Sequence, residues 1–175
     1  EEIPAGCDGL LFQPYFTPNI TMPTARGAVI GFSDRHTRIH IYRAIIEGIN
    51  FALMDGMRLM EHRAGHRFRE IRLGGGASQS DQICQITADM FGIPTVRTQT
   101  YEVAGVGCAL TAFVGLGVFR DYQEAVDVMV QKRDVFEPDM KQHAIYEKLY
   151  ESVFKKIYGR LEDLYGELGR IEEEF

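Results

Sequence analysis

The longest stretch of regular apolar spacing lies between Thr37 and Arg63, where Ile39, Tyr42, Ile46, Ile49, Leu53, Met57 and Met60 recur every three or four residues. That is the period of one helical face, so the pattern predicts a helix over 37–63 that turns this stripe toward a core. Gly48 and Gly56 interrupt it. Each weakens a helix relative to alanine, which implies that another element approaches closely at those points. A second long amphipathic helix is predicted from about Asp139 to Leu168, just after Pro138. Its stripe is Ile145, Leu149, Val153, Ile157, Leu161, Leu164 and Leu168, widened by Tyr146, Tyr150, Tyr158 and Tyr165. Ahead of the first helix, residues 9–16 read as a buried extended segment. Residues 17–25, with Pro18, Asn19 and Pro23, read as a loop, and residues 26–32 as a short strand bounded by glycines.

Between the two helices the period changes. Residues 68–73 alternate like a strand, and Gly74-Gly75-Gly76 follows at once. Ser78, Ser80 and Asp81 are good N-cap types, and Ile83, Ile86 and Met90 form an apolar stripe behind them. Gly92 and Pro94 end that helix, and residues 95–98 form the next strand. Strand, glycine turn, helix and strand in this order predict a parallel βαβ unit. Residues 103–117 are small and apolar throughout and suit a helix buried on most sides, packed close through Gly105, Gly107 and Ala109. A short helix is expected near 122–130.

Charge and cysteine usage narrow the function classes. The chain of 175 residues carries a net charge of -6, which disfavours nucleic acid as a partner. Its three cysteines are widely spaced, without a CxxC, so neither a secreted disulfide framework nor a zinc ribbon is expected. No apolar run is long enough to cross a membrane, and no signal peptide is evident. The sequon at Asn19 therefore carries no weight, and a cytoplasmic location is expected. The chain opens without an initiator methionine, as if cut from something longer.

The glycine turn is the strongest candidate for chemistry. Glycines at the end of a strand let a ligand approach backbone N–H groups, and the following helix offers its positive end. A tight βα turn without a ligand is the plainer reading of the same residues. Two named nucleotide motifs fit badly. A Walker A needs a Gly-Lys pair, which is absent. A Rossmann fingerprint would place its third glycine at Gln79 and an acidic residue near Thr95–Thr98. A dinucleotide oxidoreductase is accordingly disfavoured. His36 and His40 are four apart at a helix start, but without a third ligand they suit capping rather than metal. Cys84 and Cys108 read as core thiols. No GxSxG elbow occurs.

Several segments, in order, are similar to the FGGY carbohydrate kinases. Gly27-Ala28-Val29-Ile30-Gly31-Phe32, seven residues, then His40-Ile41-Tyr42-Arg43-Ala44-Ile45-Ile46-Glu47 resembles a signature of that family, with Phe32 where a smaller aliphatic residue is preferred. Ala25-Arg26-Gly27, Leu73–Ser80, Gln85–Pro94 and Glu102–Leu110 resemble it too, over roughly residues 9–120. His36-Thr37-Arg38 is most similar to the xylulokinase branch.

The resemblance implies an α/β, actin-like, ribonuclease-H-like ATPase fold, of which residues 1–175 would be an incomplete C-terminal, ATP-side lobe with a long C-terminal helix. The sugar-binding, catalytic lobe would lie elsewhere. It implies adenosine contacts at Gly75, Gly76 and Ser80, with Gly74, Ala77 and Gln79 as neighbours. Ser80 would either cap its helix alone or also bond the adenine. No catalytic residue and no metal ligand is assigned. ATP with Mg2+ would be the cosubstrate and a sugar or polyol, a pentulose for example, the acceptor. The isolated chain would be inactive and could form a homodimer. A non-catalytic actin-like nucleotide-binding or scaffold module is the alternative.

Overall fold

A computed structural model describes residues 3–175. In chain order the elements are β1 (Leu11–Gln13), β2 (Ala28–Ile30), α1 (Arg38–Ala64), β3 (Ile71–Leu73), α2 (Asp81–Phe91), β4 (Thr95–Thr98), α3 (Val103–Gly115), α4 (Tyr122–Met129), β5 (Lys132–Phe136), α5 (Met140–Leu149) and α6 (Lys155–Glu172). They form two compact units. One comprises the chain up to His66 together with Met140–Phe175, the other Arg67–Asp139.

In the first unit β1 and β2 pair antiparallel, with Leu11 opposite Ile30, and α1 lies on β1. α1 starts at Thr37, whose side chain accepts from Ile39 N, while His40 Nδ1 accepts from Thr37 N at 3.1 Å. The histidine thus takes the place of the usual Glu in a capping box. The helix ends at Gly65 in the left-handed conformation, φ 70°. The face that α1 buries is not the stripe expected from spacing. Ala44, Glu47, Gly48, Phe51 and Met54 point inward, while Ile39, Tyr42, Ile49, Leu53 and Met60 are exposed. Gly48 explains the choice: a Cβ there would lie 2.2 Å from Phe12 O, so only glycine lets the helix rest on the strand backbone.

Glu47 is a buried carboxylate with four donors. It accepts from Gly6 N at 3.1 Å, Cys7 Sγ at 3.5 Å, Arg43 Nε at 2.8 Å and Tyr146 OH at 2.8 Å. Full satisfaction is what makes a buried charge tolerable. Two of those donors belong to the turn Gly6–Gly9, where four successive residues have positive φ (79°, 49°, 53° and 92°). Cys7 and Asp8 pay a steric cost there that glycine would not. Glu47 holds the turn in place.

The C-terminal helix is continuous but not uniform: a π-helical segment, Tyr150–Phe154, joins α5 to α6. Tyr146, Tyr150 and Phe154 are spaced by four, which would drift about 40° per step around an ideal α-helix. The wider π turn absorbs that drift and keeps all three rings on Phe51, with Phe51–Phe154 stacked at 4.9 Å between centroids. The buried face is therefore Tyr146, Tyr150, Phe154, Ile157 and Tyr165, whereas Ile145, Leu164 and Leu168 of the expected stripe are exposed.

The second unit is a three-stranded sheet in the order β3-β4-β5. β3 and β4 are parallel, Ile71 opposite Thr95, joined through α2 as the βαβ pattern predicted. β5 adds an antiparallel strand, Thr95 opposite Phe136. This strand was not apparent from spacing, because Lys132-Arg133-Asp134-Val135-Phe136 shows no alternation; charged residues are usual on an edge strand. α2 buries Cys84, Ile86, Ala88 and Met90. α3 departs from expectation: among the described residues none of its side chains is buried, although it packs against α4.

Candidate functional site

β3 ends at Leu73, and the chain passes through the glycine run into a 3-10 turn, Gly76–Gln79, before α2 begins. Each glycine has its own reason to be there. A Cβ on Gly74 would fall 2.5 Å from Val103 Cγ1. Gly75 has φ 77° and ψ -172°, a region open only to glycine, and its N–H donates to Tyr101 O at 3.0 Å. Gly76 is different: it has no positive φ, and among the described residues nothing lies within 4 Å of a Cβ built on it. Neither its φ nor the space around a Cβ requires a glycine at 76, as is also true of Gly105, Gly107 and Gly115 in this unit.

The residues that follow are fixed from below. Ser78 is buried, and its Oγ donates to Gly75 O at 2.7 Å. Its carbonyl accepts from Arg97 Nη1 at 3.0 Å and from Cys84 Sγ at 3.5 Å. Burial pushes the Cys84 thiol pKa up, so the group stays a neutral donor. Arg97, on β4, reaches three acceptors at once. Besides Ser78 it pairs with Asp81 at 2.8 Å and Asp134 at 2.6 Å, and its guanidinium lies 5.3 Å from the Phe136 ring centroid. Two carboxylates thus spend the arginine charge inside the fold, and the arginine ties the 3-10 turn, the first turn of α2 and β5 together. Ser80 is the N-cap of α2, its Oγ accepting from Ile83 N at 3.3 Å.

The six residues singled out in the sequence therefore share one loop but not one environment. Gly76, Ala77 and Gln79 are exposed; Gly74, Gly75 and Ser80 are half-buried. Two cavities flank the loop. An apolar one of about 280 Å³ is lined by Gly74, Val103, Val106, Leu110 and Val130 together with Thr98 and Gln99. A more polar one of about 400 Å³ is lined by Ser78, Gln79, Asp81, Arg97, Tyr101 and Arg133. Gly75, Gly76, Ala77 and Ser80 line neither of these two. Arg97 and Tyr101 were not singled out in the sequence, where the only signal was an arginine inside a strand of four residues, and Ser78 was read only as a cap type. His36 and His40 serve locally: His36 Nδ1 accepts from Ser33 N at 2.8 Å, and His40 sits in the α1 cap.

The model of the FGGY family of carbohydrate kinases, C-terminal domain, matches residues 1–116. The chain belongs to that family. Xylulose kinase of Staphylococcus epidermidis is 36% identical over 166 residues, covering 93% of this chain and 33% of that protein. Glycerol kinase of Dechloromonas aromatica is 34% identical over 139 residues, 78% of this chain and 28% of that protein. Among solved structures, the ligand-bound xylulose kinase from Lactobacillus acidophilus superposes with a TM-score of 0.78 at 28% identity, over 94% of this chain and 34% of that one. The gluconate kinase from the same organism superposes with a TM-score of 0.77. The α/β actin-like, ribonuclease-H-like fold expected from the FGGY resemblance is the fold of these kinases. The chain spans about a third of the length of the relatives it matches. No helix of the described residues is long and apolar enough to cross a membrane.

Proposed function

We propose that residues 1–175 form the ATP-side part of an FGGY sugar kinase and hold the adenosine of ATP at the glycine turn, while the sugar or polyol and the group that activates its hydroxyl belong to the rest of the polypeptide. The observation that carries this is Gly76, a glycine that neither backbone conformation nor packing demands, in an exposed position between a strand end and a helix start. A bound nucleotide would supply the missing reason. Gly75 shapes the turn, Gly74 lets α3 close beneath it, and Ser80 caps α2 while its hydroxyl proton remains available for an adenine or ribose acceptor. Ala77 and Gln79 complete the rim.

When bound, ATP supplies the phosphoryl group transferred to a sugar hydroxyl. The chain's own residues bind and orient: the turn fixes the nucleoside, and the Arg97 clamp keeps the turn from moving. Among the described residues no three His, Cys, Asp or Glu side chains gather into a metal site. Mg2+ that arrives with ATP would be held largely by the phosphates themselves.

Calorimetric titration with Mg-ATP and with ADP tests the reading, beside Gly76→Val. Because a Cβ at 76 meets open space among the described residues, the variant is expected to keep its fold, which its thermal midpoint checks. Saturable binding that the variant loses supports adenosine at the turn. Equal binding by both proteins sinks it. Sugar-dependent ADP release by the 175-residue chain alone would sink the division of labour.

A further inference from the structure

α1 has two apolar faces. One, built on Ala44, Gly48, Phe51 and Met54, is buried against β1 and the aromatic stack of the C-terminal helix. At 100° per residue the other centres on the opposite side of the helix. Its members Ile39, Tyr42, Ile49, Leu53 and Met60 are between 48% (Ile49) and 61% (Tyr42) exposed. From Ile39 to Met60 this face is about 32 Å long. Gly56 lies within it, and among the described residues nothing comes within 4 Å of a Cβ built there. A soluble protein rarely leaves so long an apolar surface to water. A helix that is apolar on opposite sides is a helix between two layers.

The choice of occupant lies between a second copy and the remainder of a longer polypeptide. A self-paired helix sets its register with opposite charges beside a narrow seam. Here the flanking positions are Arg43, Asn50 and Met57 on one side and Ile45, Ala52 and Leu59 on the other. Arg43, the one charge among them, is bound to Glu47 at 2.8 Å. With Ile45, Ala52 and Leu59 included the face is broad, which suits a layer rather than a single partner helix. The relatives supply the length: the chain matches 33% of Staphylococcus epidermidis xylulose kinase and leaves two thirds of it outside.

We infer that the open face of α1 seats an apolar layer contributed by the part of a full-length family member that residues 1–175 do not span, so that in the whole protein α1 is enclosed on both sides. This rests on reading the chain as one third of a longer kinase. It goes beyond the nucleotide site, which lies in the other unit.

Thiol labelling tests it. Leu53→Cys in a Cys108→Ser background places one reactive probe on the face, since Cys7 and Cys84 are buried. Maleimide labelling is compared between the 175-residue chain and a chimera in which these residues replace the matching third of Staphylococcus epidermidis xylulose kinase. Labelling is fast in the chain and slows by roughly a hundredfold or more in the chimera, as burial in a cooperatively closed layer requires. In parallel, Ile49→Glu leaves the urea midpoint of the chain unchanged and lowers that of the chimera. Equal labelling in both proteins overturns the inference. So does slow labelling of the chain with a dimer mass in sedimentation, which makes a second copy the occupant. A chimera without cooperative unfolding overturns it as well, because no layer then forms on this face. Xylulose-dependent ADP release by the unsubstituted chimera reports separately on the kinase reading. Activity with an open face refutes the enclosure alone, and a protected face without activity counts against the kinase reading alone.

Discussion

Two glycines on one helix are expected to respond to the same substitution with opposite signs. At Gly48 an added Cβ lies 2.2 Å from Phe12 O and 3.0 Å from Phe12 C. Real Cβ contacts essentially never fall below 3.0 Å. The obstacle is strand backbone, so no side chain swings away to relieve it. α1 and β1 must instead separate by nearly 1 Å, loosening Ala44, Phe51 and Met54 on the same face. Overpacking of this kind costs about 1–3 kcal/mol, and an obstacle of backbone puts Gly48→Ala at the upper end. Alanine returns about 1 kcal/mol of helix propensity, which leaves a net loss of about 2 kcal/mol. At Gly56 the propensity gain stands alone, because the added methyl meets open space among the described residues. For a protein of this size the midpoint of thermal unfolding should fall by about 4–8 °C in Gly48→Ala and rise by about 2–4 °C in Gly56→Ala. Circular dichroism melts of the 175-residue chain measure both. A Gly48→Ala midpoint at or above that of the unsubstituted chain would refute the argument that the helix rests on β1 through this glycine.

Three further outcomes follow from the packing. In the folded chain a thiol reagent at neutral pH should modify Cys108 quickly and leave Cys7 and Cys84 untouched until denaturant is added; burial and the Glu47 charge push the Cys7 thiol far up. Burial first, and then the carboxylates of Asp55 or Glu47, hold Tyr15, Tyr146 and Tyr150 well above the usual tyrosine value of about 10. A pKa raised by folding gives stability that is complete below the unfolded value and is lost above it. The chain should therefore lose up to about 1.4 kcal/mol per pH unit for each such tyrosine as pH rises beyond about 10, with a matching delayed phase in the 295 nm titration. Arg97→Met removes charge-assisted bonds worth about 1.5–3 kcal/mol each. It should speed amide exchange across Ser78–Ile83 while α1 keeps its protection, and Arg97→Lys should rescue this only in part, since one ammonium cannot span Ser78, Asp81 and Asp134. Unchanged exchange in Arg97→Met would remove the clamp from the account of the site.

The ordered sequence motifs carried the family and the glycine turn carried the candidate site, because both depend on local chemistry. A strand that stops at three glycines, with a serine cap four residues later, has few ways to fold. At the ends of α1 the caps Thr37 and Gly65 were recognised only in the structure, close to the bounds that spacing predicts. What spacing could not give was the distribution of roles within the turn. Gly74 is set by Val103, twenty-nine positions away, and Ser78 by Arg97; both are contacts made across the unit.

Periodicity likewise predicted a helix over 37–63, which the structure places at Arg38–Ala64, without fixing which side is inside. α1 is apolar on two faces, and a pattern read along the chain favours the face with the larger side chains. The tertiary structure decided for the other, because Gly48 admits the Phe12 backbone and Phe51 meets the ring stack. In the C-terminal helix the leucine stripe lost to Tyr146, Tyr150 and Phe154 for a related reason: a π turn rotates the following residues in a way an ideal period does not contain. The amino-acid sequence by itself determined most of the elements, the parallel βαβ unit and the family, but not β5 or the π turn. Which faces are buried, which charges are spent inside the fold and which glycines stand open were decided only by the tertiary structure, since each depends on atoms brought together from positions far apart in the chain.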